Sequence, residues 1–334
     1  MESYKNKKVS IIIPCYNKER FVGEAIESAL STSYGNKEVI VIDDGSTDKS
    51  PQVIREYENN IIWERQENRG APAARNRGIS ISDGEFIKFL DADDILAKNV
   101  LSEQVEQTQR FCSDREMVFG NFSTIDGSGE LIDHFAYETF EYGKRLNIEE
   151  VIQENIITSA PLYKKRLLEE VGCFDEKITK KQEFYLHIEM TMRGIKLMHK
   201  KCLAFYSRRR IKGRITSIDH LSRNPMYAYR DIKRVMNRVE NPIPRPVRKS
   251  FGRDLWRKGR RLLRIGHEEE ALIYFNEAKS ISSNKPIVGS FAYRVVVRAA
   301  GPVIAEKFSI IKRPLSLVRS IRHGLKAIFR NSRA

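Results

Sequence analysis

Residues 9–17 read VSIIIPCYN and residues 37–48 read KEVIVIDDGSTD. In each, a β-branched apolar run breaks off into Pro, Asn, Asp, Gly or Ser, the residues that build turns. The run at 9–13 is apolar except for Ser10 and ends at Pro14, which predicts a strand buried on both faces, as in parallel sheets. Runs at 39–42, 61–63 and 86–90 predict three more buried strands. Between them lie helical signals. Phe21, Ala25, Ile26, Ala29 and Leu30 recur at helical spacing, and further helical stretches fall at 50–57 and 73–80. Strand and helix thus alternate about every 20 to 25 residues, which predicts βαβ units and an α/β fold: a mainly parallel sheet flanked by helices. Ligands of such sheets bind beyond the carboxyl ends of the strands.

Those ends carry the chemistry. The first strand runs into Pro14, Cys15, Tyr16 and Asn17, the second into Asp43, Asp44, Gly45, Ser46, Thr47 and Asp48, and the fourth into Asp91, Ala92, Asp93 and Asp94. After the third come Asn68, Arg69 and Gly70, then Ala74, Arg75, Asn76, Arg77 and Gly78. Carboxylates crowded at 91, 93 and 94 repel one another, and Mg²⁺ or Mn²⁺ relieves this while keeping positions open for substrate phosphates. The alternative is a turn in which Asp94 caps a helix over 96–109. Tyr16 offers a face for stacking on a base, or packs at its strand end. Asp44 accepts a hydrogen bond from an imide N–H, or closes an Asx-turn. Arg69 and Arg75 suit a diphosphate, or sit on a solvated face or bridge nearby carboxylates.

In this order, P-x-Y-N, D-D-G-S-x-D, N-x-G followed by A-R-N-x-G, and D-x-D-D resemble glycosyltransferase family 2 over residues 8–217. The resemblance implies the GT-A fold and an inverting, metal-dependent transfer of a sugar from a nucleoside diphosphate sugar, expected to be UDP-linked. The implied acceptor is a glycan or a lipid-linked molecule in cell-surface polysaccharide or glycoconjugate synthesis. By the same resemblance Pro14, Tyr16 and Asn17 belong to the nucleotide-sugar site, with Tyr16 stacking on the base and Asp44 bonding its imide. Asp93 would sit near the ribose, Asp91 and Arg75 on the diphosphate side, and Asp94 with Asp93 on the Mn²⁺ or Mg²⁺ ion. The stretch 159–176 is similar to the family's segment before the catalytic helix, where a Glu-Asp pair usually supplies the general base. Here the pair is Gln182 and Glu183. Glu183, the implied catalytic base, is one methylene longer, and without the resemblance it reads as a first-turn glutamate favoured by the helix dipole. Relatives also carry a histidine near the metal or diphosphate, whereas 206–217 holds arginines and no histidine. These two departures motivate the alternative, a catalytically silent nucleotide-sugar-binding scaffold subunit. The six histidines show no metal-ligand spacing. No G-x-G-x-x-G follows the first strand and no Q-x-x-R-W motif occurs, which argues against a dehydrogenase and a processive synthase.

The 334 residues include 59 Lys plus Arg, 44 Asp plus Glu and 41% apolar side chains, a composition that excludes a disordered chain and a disulfide scaffold. The charge is uneven. Residues 1–200 hold 27 basic and 35 acidic side chains, a net −8, and residues 201–334 hold 32 and 9, a net +23. Cys15, Cys112, Cys173 and Cys202 form no C-x-x-C pair and no secretory leader is evident, so a cytoplasmic address is expected. The most apolar segment, 287–311, is interrupted by Arg294, Arg298, Glu306 and Lys307 and is not expected to span a membrane. The expected organisation is a catalytic domain over 1–217, with a nucleotide-sugar half at 1–100 and an acceptor half at 101–217. A basic α-helical extension follows over 218–334, with one tetratricopeptide-like hairpin at 253–286. Leu315, Val318, Ile321, Leu325 and Phe329 fall at helical spacing among basic residues, so 287–334 is expected to rest on an anionic membrane at the inner face of the cell membrane. The alternative is a helix that covers the protein's own core. No nucleic-acid module accompanies the charge, so no nucleic-acid partner is expected.

Overall fold

The computed structural model describes residues 7–135, 141–153, 155–178, 180–208, 221–239, 242–282 and 287–311. The chain forms two compact units, Met1–Arg214 with Lys233–Val247, and Ile215–Ile232 with Arg248–Ala334.

The first unit runs β1 (Val9–Cys15), α1 (Val22–Leu30), β2 (Lys37–Asp43), α2 (Ser50–Arg55), β3 (Ile62–Arg65), α3 (Ala71–Ile81) and β4 (Phe86–Phe89). It continues through β5 (Ile95–Leu96), α4 (Val100–Phe111), β6 (Glu116–Ile125), β7 (Leu131–Phe135), α5 (Ile148–Gln153), β8 (Pro161–Lys164), α6 (Lys165–Glu170), α7 (Gln182–Met192) and β9 (Lys196–Arg208). The strands form one sheet in the order β3-β2-β1-β4-β8-β6-β9-β5, with β7 paired to β6. Strands β3, β2, β1 and β4 are parallel to one another. β8 is antiparallel to both β4 and β6, β6 and β9 are parallel, and β5 is antiparallel to β9. The sheet is therefore mainly parallel. Its centre is the core: Val9, Ile11, Ile12, Ile13, Ile40, Val41, Ile42, Ile87 and Phe89 are all buried. Helix α3 packs on β1 through Gly78, where any Cβ would strike the Ile12 side chain.

Three expectations are corrected. β1 continues through Pro14 to Cys15, because β4 pairs with β1 only as far as Ile12 and leaves no donor for Pro14 to supply on that side. β3 is the edge strand, so it has one neighbour and is not a buried strand: Ile62 is 42% exposed. Residues 95–96 pair with β9 as β5, and the helix that follows starts only at Val100 with Asn99 at its N-cap. Asp94 therefore does not cap it.

In the second unit α9 (Arg245–Arg264) and α10 (Glu268–Ser282) form a hairpin turned by Gly266 at φ 91. It begins at 245 rather than 253, and its expected last residues, 283–286, lie outside the described residues. Trp256 and Phe275 pack at 4.6 Å, and Phe275 also lies against Gly259. Before the hairpin comes α8 (Tyr227–Arg238), whose residues 227–232 belong to the second unit and 233–238 to the first, and after it α11 (Phe291–Ile311), which kinks at Gly301. Arg260 and Arg264 of α9 clamp the buried Glu306 of α11 and hold its carboxyl below the usual range against the effect of burial. The 315–329 periodicity lies outside the described residues. Among the described residues no helix is long and apolar enough to cross a membrane.

Candidate active site

The sheet order turns back at β1, with β2 on one side and β4 on the other, which is the switch point where a crevice opens beyond the strand ends. The segment after β1 is stitched to the loop after β2. Asn17, at φ 52, donates its backbone N–H to Ser46 Oγ at 3.0 Å, and its Oδ1 accepts from the Thr47 N–H at 2.8 Å. The Lys18 N–H donates to Ser50 Oγ at 2.8 Å. Pro14 is half-buried in β1, and Tyr16 projects with 45% exposure. That aromatic face is open rather than packed at its strand end. Burial pushes the Cys15 thiol up to about 12, so it is no nucleophile near neutral pH.

Asp44 is buried and organises the loop after β3. Its Oδ1 accepts from the Arg69 N–H at 2.9 Å and Gln66 Nε2 at 2.7 Å, and its Oδ2 from the Gly70 N–H at 2.7 Å. Three donors leave little of a carboxylate's roughly four-site accepting capacity for a ligand. Arg69 itself is exposed and pairs with Glu176 at 2.7 Å.

Asp91, Asp93 and Asp94 follow β4. Lys18 Nζ donates to Asp93 Oδ2 at 2.6 Å, and Arg75 Nη2 to Asp91 Oδ1 at 2.9 Å. Asp94 Oδ1 accepts from the Arg208 N–H at 3.1 Å at the end of β9. Burial pushes the Asp94 carboxyl well above the usual carboxylate range, and the charges of Asp91 and Asp93 push the same way. A cation is the natural relief. Among the described residues no three His, Cys, Asp or Glu side chains are grouped to hold a metal. The buried Asp94 beside the charges of Asp91 and Asp93 is a donor set that suits a divalent ion shared with substrate phosphates. Of the arginines in 206–217 only Arg208 is described, and its side chain is committed to Glu24 and to the Gly127 carbonyl.

Arg75 joins the two halves of the site. Its buried guanidinium lies 5.5 Å from the Phe174 ring and reaches from Asp91 to Gln182 Oε1 at 3.3 Å, at the first residue of α7. Glu183 follows, in the first turn of α7, and accepts from Asn155 Nδ2 at 3.0 Å. Gln66, Lys18 and Asn155 are contacts that the strand-end motifs did not single out, because each meets its carboxylate across a wide gap in sequence.

Residues 10–172 match the sequence profile described as Glycosyl transferase family 2. The glycosyltransferase GlyG of Streptococcus pneumoniae is 32% identical over 199 residues, which cover 53% of this chain and 65% of GlyG. Residues 10–172 are a glycosyltransferase family 2 domain. An uncharacterized glycosyltransferase of Haemophilus influenzae is 39% identical to the chain over 132 residues, 37% of this chain and 50% of that one. The chain thus spans no more than about two thirds of the length of these relatives. Among solved structures, S. aureus TarS 1–349 in complex with UDP superposes with a TM-score of 0.65 at 18% identity, covering 90% of this chain and 89% of that one. The mannosyltransferase PcManGT from Pyrobaculum calidifontis, in complex with GDP-Man and Mn²⁺, superposes with a TM-score of 0.52 at 16% identity, covering 92% and 88%. At these identities the likeness is one of fold, and the family 2 domain has the GT-A fold.

Proposed function

We propose that the chain is an inverting, metal-dependent glycosyltransferase that moves one sugar from a nucleoside diphosphate sugar, UDP-linked, to a glycan or lipid-linked acceptor in cell-surface polysaccharide or glycoconjugate synthesis. The observation that carries this reading is the Arg75 bridge, which ties Gln182, the residue before Glu183, to Asp91 of the 91–94 carboxylates. In this reading Tyr16 stacks on the base. Pro14 and Asn17 shape its loop, and Asp44 holds the 66–70 loop while offering its remaining accepting capacity to the imide. Asp93 sits by the ribose, and Arg75 and Asp91 by the diphosphate. Asp94 with Asp93 would hold Mn²⁺ or Mg²⁺, which would supply positive charge to the diphosphate leaving group. Glu183 removes the acceptor hydroxyl's proton as that oxygen attacks the anomeric carbon. The bond to the diphosphate oxygen breaks and its electron pair leaves with the diphosphate. Such base catalysis contributes about 10² to 10⁴ in rate.

Residues 1–217 form the catalytic domain in this proposal and 218–334 a basic extension that rests on the anionic inner face of the cell membrane. Lys249, Arg253, Arg257 and Arg261 succeed one another every four residues along exposed positions of α9, and Phe291 (76%), Val295 (46%) and Ile304 (44%) of α11 are exposed apolar side chains beside Arg294 and Arg298. Cations with protruding apolar groups suit an interfacial surface.

A thermal-shift panel of UDP-, GDP-, TDP- and CDP-sugars with and without Mn²⁺ tests the core of the reading. A Mn²⁺-dependent shift with a UDP-sugar, abolished in Asp94→Ala together with diphosphate release, is expected. Binding without release or transfer from any donor favours the silent scaffold instead.

A further inference from the structure

Glu183 stands where the family's usual pair ends in an aspartate, and the extra methylene adds a rotatable bond that must be fixed before its carboxylate can act on one oxygen. The structure shows what fixes it. We propose that Asn155 is the positioning residue for Glu183, an inference that rests on the reading of Glu183 as general base. Asn155 Nδ2 donates to Glu183 Oε1 at 3.0 Å, and Glu183 receives no other hydrogen bond among the described residues.

Asn155 itself is exposed, and the packing that sets it comes from the residues after it. Asn155 lies between α5 and β8, and the chain after it is anchored by buried Ile156, Thr158, Ser159 and Ala160. The Ala160 carbonyl accepts from Gln104 Nε2 at 2.8 Å and Lys88 Nζ at 3.3 Å. Helix α5 packs on α7, the helix that carries Glu183. The neighbouring Gln182 is held by Arg75, so each side chain of the pair has its own anchor from a different part of the chain.

The geometry of the contact favours the base. The Asn155 amide N–H takes up one carboxylate oxygen and so fixes the direction in which the other points. With Oε1 held by Asn155, Oε2 is the oxygen left for the acceptor hydroxyl. An alanine at 155 leaves the carboxylate free to rotate away, which lowers turnover without touching the nucleotide contacts.

The test measures nucleoside diphosphate release from UDP-GlcNAc and from the UDP-, GDP-, TDP- and CDP-sugar panel with Mn²⁺, with water as acceptor. Asn155→Ala is expected to lower kcat about ten-fold, the factor that goes with one hydrogen bond to a charged group, with donor KM within about two-fold of wild type. Asn155→Asp sets a second carboxylate beside the first and should move the acid limb of the kcat profile about one unit to higher pH. Both variants should melt within a few degrees of wild type. In a double-mutant cycle, Asn155→Ala should cost markedly less once Glu183→Gln is present. Wild-type kcat and an unmoved pH profile in both Asn155 variants, with Glu183→Gln inactive, overturn the positioning role and leave the base reading standing. Full activity of Glu183→Gln overturns the base reading and this inference with it. No release by the wild type from any donor overturns both.

Discussion

Glycine is dictated at position 45 from two directions. Its φ is +75°, a region that L side chains enter at a cost, and an added Cβ would sit 2.8 Å from the Asn68 backbone nitrogen. That nitrogen belongs to the loop whose next two N–H groups bond Asp44. Gly45→Ala should therefore destabilise the protein by about 2 kcal/mol in urea unfolding and also weaken UDP binding by calorimetry, because the loop must withdraw from Asp44. An unchanged midpoint would remove the steric argument. The position was visible in the sequence as D-D-G-S, but its reason was not. Gln66 lies 22 residues and Gly70 26 residues from Asp44, and nothing local says that those loops touch.

Strand β4 holds a conflict within one element. Its four residues are all buried, yet one of them is Lys88. The chain resolves this by giving Nζ three oxygens, Gln104 Oε1 at 2.9 Å and the carbonyls of Ala160 and Pro161 at 3.3 and 3.4 Å. Burial still pushes the ammonium down from 10.5 to about 7. Between those values the unfolded chain keeps a proton that the folded chain has released, so this group makes stability rise with pH from about 7 toward 10.5. Relative to Lys88→Met, the wild type should gain about 1 kcal/mol per pH unit between about 7.5 and 9.5, measured by urea unfolding at stepped pH. Parallel pH profiles for the two proteins would show that Lys88 does not titrate there. The strand was legible as an apolar run. The compensation was not, since its acceptors come from α4 and from the start of β8.

Over the whole molecule, the net +23 of residues 201–334 is the largest charge asymmetry. Lys249, Arg253 and Arg257 are exposed and paired with no carboxylate in any ion pair among the described residues, whereas Arg260 and Arg264 are taken up by Glu306. Each cation near an anionic surface contributes about 1 kcal/mol, so Arg253→Glu with Arg257→Glu should cut co-sedimentation with phosphatidylglycerol vesicles at least ten-fold and leave melting unchanged. Equal sedimentation of wild type and variant would place the membrane contact elsewhere or nowhere. The sequence by itself determined the strand-and-helix alternation, the polar residues at strand ends, the charges that interrupt its most apolar segment and the excess of basic residues after 200, because all of these depend on neighbours within a few residues. Only the tertiary structure decided that β3 is an edge strand, that Asp94 caps no helix, and that Lys18 meets Asp93 across 75 residues and Arg75 meets Gln182 across 107. The reason is physical: a side chain's partner across a sheet is set by strand order and by which loops share an end, and neither is written in the local periodicity of the chain.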